Sequence, residues 1–258
     1  MELSNNTILI TGGTSGLGLE FAKRLVALGN TVLITGRDNE KLAQAKATIP
    51  QLHTFQSDVS DPEAVTALYQ NVITQFPGVN MLINNAGEMR KISLHDTSID
   101  LHDITREIEI NLMGPVRMVQ QFLPHLKTKS NAAILNVTSG IALVPFPLSP
   151  IYGATKAGLR SYTKSLRVQL KHTGIKVFEL VAPGAKTSLN DKFINEDGFD
   201  PKILMDPIKL IDTAIKGLQK DKPEIYPGLA KMLYLMSRFA PAFILKQLSK
   251  AGAERMKG

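Results

Sequence analysis

The chain has 258 residues, which allows one large α/β domain or two small ones, and 43% hydrophobic with 21% charged residues is typical of a globular protein. It contains no cysteine, which excludes disulfides, thiolate metal sites and cysteine nucleophiles. The net charge of +7 is modest, and we interpret it as a solvated surface rather than as a nucleic-acid site.

The sequence shows no targeting or membrane-spanning signal. Residues 1–6 are polar and lack the basic and apolar regions of a signal peptide, and no stretch reaches the roughly 18 apolar residues of a transmembrane helix. We therefore expect a cytoplasmic protein. No metal is expected, because no close pair with ligand-like spacing occurs among the five histidines, which are His53, His95, His102, His125 and His172.

Strand and helix signals alternate along the chain. Short apolar runs predict strands near residues 7–10, 31–35, 53–56, 81–84, 133–137, 176–181 and 224–226. Amphipathic segments predict helices over residues 17–28, 39–47, 62–76, 112–126 and 152–172. This alternation implies an α/β fold, a Rossmann-like doubly wound parallel sheet with helices on both faces.

The later part of the chain departs from this alternation. Residues 188–206 are polar and rich in Asn, Asp and Gly, which is typical of a mobile lid over a ligand. We predict one catalytic domain over residues 1–228, which includes this lid insertion. A helical C-terminal extension over residues 229–258 is expected to pack on the same domain.

A glycine-rich segment, residues 11–18, separates the first predicted strand from the first helix, with Gly12, Gly16 and Gly18. Glycine lets the backbone turn tightly and approach a pyrophosphate, and a helix N-terminus offers N–H groups to the phosphates. Glycines alone are equally compatible with a plain turn. Because strand, loop, helix and next strand fit one βαβ unit of about 30 residues, the pattern favours a dinucleotide site.

The end of the second strand bears on which dinucleotide binds. An acidic residue there would hold the ribose 2′-hydroxyl, whereas Arg37 attracts a 2′-phosphate and favours NADP(H). Two residues argue against NADP(H). Asp38, one residue later, is acidic, and Ser15 stands where a basic residue would strengthen the preference for a 2′-phosphate. NAD(H) therefore stays as the alternative, as does a purely structural Arg37.

A tyrosine and a lysine lie four residues apart at the start of a predicted helix. Tyr152 and Lys156 therefore share one helix face, and the lysine cation is expected to lower the pKa of the phenol. A phenol tuned in this way can protonate a carbonyl oxygen or deprotonate an alcohol. Ser139 ends a predicted strand thirteen residues earlier, where such folds bind ligands.

Together these features resemble the classical, single-domain form of the short-chain dehydrogenase/reductase family. The resemblance covers residues 7–187 and the strand near 224–226. It implies a nicotinamide-dependent oxidoreductase that acts on a small-molecule carbonyl or alcohol. The motifs that carry it, in chain order, are the loop 11–18, Asp58-Val59, residues 84–87, Ser139 with Tyr152 and Lys156, and Pro183-Gly184.

The resemblance also implies the roles of single residues. Ser139 orients the substrate oxygen, Tyr152 carries out the acid–base step, and Lys156 binds the nicotinamide ribose. Asn111 corresponds to the asparagine that supports a water-linked proton relay to Lys156. The four form the expected catalytic set.

At the dinucleotide, Asp58 and Val59 are expected to hold the adenine. Ser188 stands where many relatives have a threonine that touches the carboxamide, and because Thr187 precedes it, either could serve. The residues expected to bind the cofactor are Gly12, Thr14, Ser15, Gly16, Leu17, Gly18, Arg37, Asp58, Val59, Asn85, Ala86, Gly87, Tyr152, Lys156, Pro183, Gly184, Thr187 and Ser188.

Three functions stay open at this point: an NADPH-dependent carbonyl reductase, an NAD-linked alcohol dehydrogenase, and a catalytically silent nucleotide-sensing or scaffold protein. The intact catalytic set argues against the third. Residues 140–148 are largely apolar, which indicates either the wall of a hydrophobic substrate pocket or ordinary core packing. The sequence does not identify the substrate.

The extension carries six basic residues and one acid, Glu254. Apolar residues at helical spacing predict a helix that Pro241 breaks or kinks. The sequence of residues 237–246 resembles that of a bacterial oxidoreductase encoded beside teichoic-acid D-alanylation genes. Three roles are open for the extension. We favour packing on the domain beside the substrate pocket, and next the interface of a homodimer or homotetramer. Contact with a membrane surface is the third and is not favoured.

Overall fold

One parallel sheet organises the protein. The computed structural model describes residues 1–196 and 198–251. Its strands are β1 (Thr7–Ile10), β2 (Thr31–Gly36), β3 (His53–Gln56), β4 (Val79–Asn84), β5 (Ala132–Ser139), β6 (Ile175–Ala182) and β7 (Glu224–Ile225). All neighbours pair in parallel in the order β3-β2-β1-β4-β5-β6-β7, so the predicted Rossmann-like fold is confirmed.

Helices cover both faces of this sheet. They are α1 (Gly16–Ala27), α2 (Asn39–Thr48), α3 (Pro62–Gln75), α4 (Leu101–Ile108), α5 (Gly114–Leu126), α6 (Pro150–Gln169), α7 (Ser188–Asp191), α8 (Pro207–Gln219), α9 (Leu229–Phe239) and α10 (Pro241–Leu248). No helix within the described residues is long and apolar enough to cross a membrane.

Alternate strand residues fill two hydrophobic layers. Ile8 of β1 packs toward α1, α2 and α8, whereas the next residue, Leu9, packs toward α3, α5 and α6. Both side chains are fully buried. A sheet covered on both faces needs strands that are apolar at nearly every position, which explains the uninterrupted apolar runs in the sequence.

The structure corrects the predicted helices in three places. The helix predicted over 112–126 begins earlier, since α4 runs through a π-helical turn, Glu109–Met113, into α5. α4 was missed although Leu101, Ile104 and Ile108 recur at helical spacing, and the residue that it buries is the charged Glu107. α8 was also missed, although Asp206 caps it. The helix predicted to end near residue 172 ends at Gln169.

The segments predicted as a lid and as a C-terminal extension, called the lid and the extension below, contain regular structure. Within residues 188–206, α7 and a 3₁₀ turn, Pro201–Ile203, interrupt the predicted loop. α9 and α10 meet at Ala240, and Pro241 begins the second helix, so the predicted break at the proline is present. Residues 252–258 of the predicted extension, with Glu254, lie outside the described residues.

Candidate active site

A cavity of about 770 Å³ lies where the carboxyl ends of the strands meet. Residues that follow β1, β2, β4, β5 and β6 line it, which is where open parallel sheets bind ligands. The lid and both C-terminal helices complete its wall. Of the predicted site residues, all but two line the cavity, and the exceptions are Gly18 and Asn111.

The loop after β1 is shaped by its glycines. Gly12 has a φ of +64°, which disfavours other residues, and a Cβ there would lie 2.8 Å from the Cα of Ala86. A Cβ on Gly18 would lie 2.1 Å from the carbonyl oxygen of Gly12. Gly18 therefore serves the close packing of α1 against the loop, which explains why it does not line the cavity.

The N-terminus of α1 differs from those of its neighbours. The side chains of Asp38, Asp61 and Asp206 accept backbone hydrogen bonds at the starts of α2, α3 and α8. Ser15 makes no side-chain cap on α1, whose first turn has no acidic residue. Its N–H groups and positive dipole end are therefore available to an anion, so the loop fits a pyrophosphate.

Two cations lie at the far end of the loop. Arg37 and Lys41 both line the cavity, and Arg37 is 60% exposed with its Nη1 3.7 Å from Oδ2 of Asp58. The neighbouring Asp38 is engaged as the cap of α2, where its Oδ1 accepts from the backbone of Glu40 and Lys41. These bonds lower the pKa of Asp38. Asp38, which in the sequence argued against binding of a 2′-phosphate, therefore has a local structural role as a helix cap.

Asn85 ties the end of β4 to the glycine loop. Its Nδ2 donates to the carbonyl oxygens of Thr11, at 3.1 Å, and Gly12, at 2.9 Å. In return, the hydroxyl of Thr11 accepts from the backbone N–H groups of Asn85 and Ala86, each at 3.1 Å. These bonds fix the spacing between the two loops that border the cavity.

The predicted catalytic side chains meet at the middle of the cavity. Ser139 ends β5, and Tyr152 and Lys156 lie on one face of α6. The ammonium of Lys156 lies 5.6 Å from the Tyr152 ring centroid and donates to the carbonyl oxygen of Val137 at 3.0 Å. Burial lowers the pKa of Lys156 to about 8.

The pKa of Tyr152 moves against the sequence-based expectation. Burial raises this pKa, and hydrogen bonding to Ser139 lowers it only in part. The negative charge of Glu107 raises it further. Desolvation of the phenolate is the largest cause of this shift, and the Lys156 ammonium donates its hydrogen bond to the Val137 carbonyl. Tyr152 is therefore a protonated acid at neutral pH.

A buried ion pair attaches α6, the helix that carries Tyr152, to the sheet. Arg160 of α6 donates from Nη1 to both carboxylate oxygens of Glu179 at 2.8 Å, and from Nη2 to the Tyr226 hydroxyl at 2.8 Å. Glu179 also accepts from Thr138, next to Ser139, at 2.6 Å. The pair holds α6 against the ends of β5 and β6.

Asn111 lies in the π-helical turn and is fully buried. Its side chain accepts from the backbone N–H of Glu88 at 2.8 Å and donates to the Glu88 carbonyl at 2.7 Å and to Thr155 at 3.2 Å. It thus joins the segment after β4 to α6. A Cβ on Gly87 would lie 3.3 Å from its Oδ1 and 3.6 Å from the Lys156 Nζ, so this side chain lies close behind the lysine.

The opposite end of the cavity is apolar. Phe146, Phe193 and Tyr152 belong to one buried cluster, in which the two phenylalanine rings lie 5.8 Å apart. The lid also contacts the segment after β4, since Lys192 donates to the Met89 carbonyl and Lys91 pairs with Glu196. Further apolar lining comes from Met89, Ile141, Leu189, Phe199, Leu229, Leu233, Leu248 and Ala251.

Several lining residues were not predicted from the sequence. Lys41 could have been identified as the basic residue in the first turn of the helix that follows Arg37. Lys192 and Phe199 lie in a segment that the sequence indicates only as a loop. Leu233 and Leu248 reach the cavity through the packing of α9 and α10, which no local pattern reports.

Comparison with known proteins adds an independent result. A sequence profile for the family described as short chain dehydrogenase matches residues 6–197, about three quarters of the chain. An uncharacterized oxidoreductase, DltE, of Bacillus subtilis strain 168 is 41% identical over 225 residues, which cover 87% of this chain and 89% of that protein.

Solved structures show the same fold. A short chain dehydrogenase from Burkholderia cenocepacia J2315 in complex with NADP has a TM-score of 0.82 at 22% identity, over 96% of this chain and 99% of that chain. A short chain dehydrogenase/reductase from Burkholderia phymatum in complex with NAD has a TM-score of 0.81 at 21% identity, over 92% and 95% of the two chains.

Proposed function

This chain belongs to the short-chain dehydrogenase family of oxidoreductases, as its motifs predicted, and we propose that it is an NADP(H)-dependent enzyme that interconverts a carbonyl and an alcohol. The observation that carries the proposal is the meeting of Ser139, Tyr152 and Lys156 between a polar and an apolar end of one cavity. Such an arrangement suits proton transfer beside a bound dinucleotide.

The polar end supports a nicotinamide dinucleotide. The uncapped start of α1 would hold the pyrophosphate, and the Asp58-Val59 pair would border the adenine. Arg37 and Lys41 place two cations where a 2′-phosphate would lie, which supports NADP(H) over NAD(H). When bound, the nicotinamide supplies or accepts the hydride.

The protein's own groups handle the proton. Tyr152, protonated at neutral pH, would donate from its hydroxyl to the carbonyl oxygen of the substrate, and Ser139 would hold that oxygen by a hydrogen bond. Lys156, charged below a pH of about 8, would stabilise the phenolate that remains. In the reverse direction, the Tyr152 phenolate would accept the proton of the alcohol.

Two supporting roles complete the proposal. Asn111, expected in a proton relay, would keep the segment at Glu88 in register with Lys156. The apolar end would accept a small apolar substrate and exclude water from the reacting atoms. We also propose a cytoplasmic homodimer or homotetramer, as in the expectation from the sequence.

A two-part experiment tests the proposal. NADPH and NADH are titrated by nicotinamide fluorescence, and the better cofactor is then used to screen apolar aldehydes and ketones. With an active carbonyl, Tyr152→Phe should lower kcat by at least about 100-fold while the dinucleotide Kd changes little, because the ring stays and only the transferable proton is lost.

The outcomes separate the alternatives. Tighter NADH binding with preferential alcohol oxidation would favour an NAD-linked alcohol dehydrogenase. Dinucleotide binding without turnover on any carbonyl or alcohol would favour a sensing or scaffold protein. Near-normal turnover by Tyr152→Phe would remove Tyr152 from the acid–base step.

A further inference from the structure

The C-terminal hairpin, α9 and α10 (residues 229–248), concentrates exposed apolar side chains. It holds six of the fourteen large apolar side chains that are exposed among the described residues. These six are Leu229, Met232, Leu235, Phe239, Phe243 and Leu245. Single exposed apolar residues are ordinary on a protein surface, but a contiguous group marks a contact surface.

The hairpin is held to the domain by its other face. Ala230 and Ile244 are buried, and Leu233 lines the cavity, where its Cδ1 would lie 2.9 Å from a Cβ on Gly140. Tyr234 packs on Tyr226 with ring centroids 4.8 Å apart. Intramolecular packing therefore accounts for one face of α9 and leaves the stripe of Met232, Leu235 and Phe239 uncovered.

The charge of the hairpin is of one sign. Residues 229–251 contain Lys231, Arg238, Lys246 and Lys250 and no aspartate or glutamate. No ion pair joins these four cations to any acid in the described part of the chain. Arg238 instead stacks on the Tyr234 ring, 5.0 Å from its centroid.

The exposed apolar stripe and the cations of the hairpin together indicate what kind of partner it binds. In a twofold contact between two copies, the same patch faces itself, so cations would be brought toward cations. An anionic lipid surface accepts both features at once, since the apolar stripe enters the headgroup boundary and the lysines contact the phosphates. We infer that the hairpin α9–α10 docks this protein on the surface of an anionic lipid bilayer. From the sequence alone, contact with a membrane surface was the least favoured role of the extension, because only the packed structure shows which apolar residues stay uncovered.

Docking would have a geometric consequence. The same helix that presents Met232 and Phe239 outward lines the cavity with Leu229 and Leu233. The apolar end of the cavity would therefore lie beside the lipid surface. A substrate dissolved in the bilayer could reach it over a short path.

Vesicle sedimentation of the full chain is the first test. Vesicles of phosphatidylcholine alone are compared with vesicles that also contain phosphatidylglycerol, and we expect salt-sensitive pelleting only with the second. Lys231→Gln with Lys246→Gln should weaken binding roughly 30-fold, from about five- to sixfold per lysine. Lys216→Gln with Lys220→Gln, at the C-terminal end of α8, removes the same charge elsewhere and should weaken binding far less.

A fluorescent reporter tests the orientation, because the chain contains no tryptophan. Phe239 is 83% exposed and Leu101 is 87% exposed. Phe239→Trp should show blue-shifted emission when anionic vesicles are added, whereas the matched control Leu101→Trp should not. Thermal melting of each variant checks that it is folded.

Two results would overturn the inference. One is equal or absent pelleting with neutral and anionic vesicles. The other is a blue shift of Phe239→Trp that grows with protein concentration in the absence of vesicles, together with dissociation of an oligomer by Phe239→Ser and Phe243→Ser. That pattern would assign the hairpin to a contact between copies of this chain.

Discussion

The dinucleotide end of the cavity is lined by residues that closely follow β1, β2 and β4, which supply backbone groups, short polar side chains and the cation of Arg37. The other end is lined by large apolar side chains from distant parts of the chain. The first is set by glycines and hydroxyls within a few residues of a strand, as at Gly12 and Thr11. The second depends on how the lid and α9 pack. Chemistry common to a family can therefore be fixed locally, while substrate choice depends on long-range packing.

The substitution expected to change cofactor binding most, without affecting the apolar end of the cavity, is at Arg37. Arg37→Asp replaces attraction by repulsion at the proposed 2′-phosphate, and we expect the Kd for NADPH to rise about 50-fold, as for lost hydrogen bonds to a charged group. The Kd for NADH and the KM for the carbonyl should change little. Fluorescence titration and steady-state kinetics measure all three.

A matched control sharpens this result. Lys216→Asp makes the same change of charge on α8, away from the cavity. It should leave the ratio of the NADPH and NADH dissociation constants unchanged. If wild-type protein binds both cofactors equally, or if Arg37→Asp alters neither, Arg37 does not select the cofactor.

A second prediction concerns Lys156, where the two ends meet. Burial lowers its pKa from 10.5 to about 8, so between these values the unfolded chain binds a proton that the folded chain does not. The free energy of unfolding should therefore rise with pH in this window. Relative to Lys156→Met, wild type should gain about 2 kcal/mol between about pH 7.5 and about pH 10. Urea unfolding of both proteins at each pH measures the difference.

The comparison with Lys156→Met removes the contributions of the other titrating groups, because both proteins share them. Parallel pH profiles for the two proteins would mean that the lysine is not desolvated. A wild-type stability that falls relative to the variant would reverse the sign and point to a stabilised ammonium.

The smallest effect is expected at the apolar end. Phe199 lines the cavity and packs on Phe193 with ring centroids 6.4 Å apart. Phe199→Ala removes apolar contact area, so the KM for an apolar carbonyl should rise about tenfold. The Kd for NADPH should stay the same. A change in NADPH affinity larger than the change in KM would show that the two ends are not separable.

The same contrast explains what could be predicted from the sequence. The central strands were located because a sheet buried on both faces demands uninterrupted apolar runs, as in residues 8–10. The edge strand β3 is only partly buried and carries His53 and Gln56. The Tyr152–Lys156 spacing follows from helix geometry alone. α4 escaped prediction because it is anchored by charged contacts, with Glu107 accepting from the Arg90 backbone at 2.9 Å.

Other features depend on tertiary contacts that no local pattern contains. The raised pKa of Tyr152 results from burial by the surrounding packing and from the negative charge of Glu107. Leu233 and Phe193 meet the cavity only after α9 and the lid have packed. An amphipathic pattern showed that the extension has an apolar face, but not which apolar residues the domain would cover.

The segment after β6 connects the two ends physically. Thr187 lies beside the glycine loop, with its Cγ2 3.5 Å from where a Cβ on Gly16 would be, and Phe193 follows six residues later at the apolar end. If binding of the proposed cofactor orders this segment, the entropic cost of binding the substrate falls. By reciprocity, the substrate would then raise the affinity for the cofactor by the same factor. We therefore expect positive cooperativity between the two ligands, transmitted through one continuous stretch of backbone.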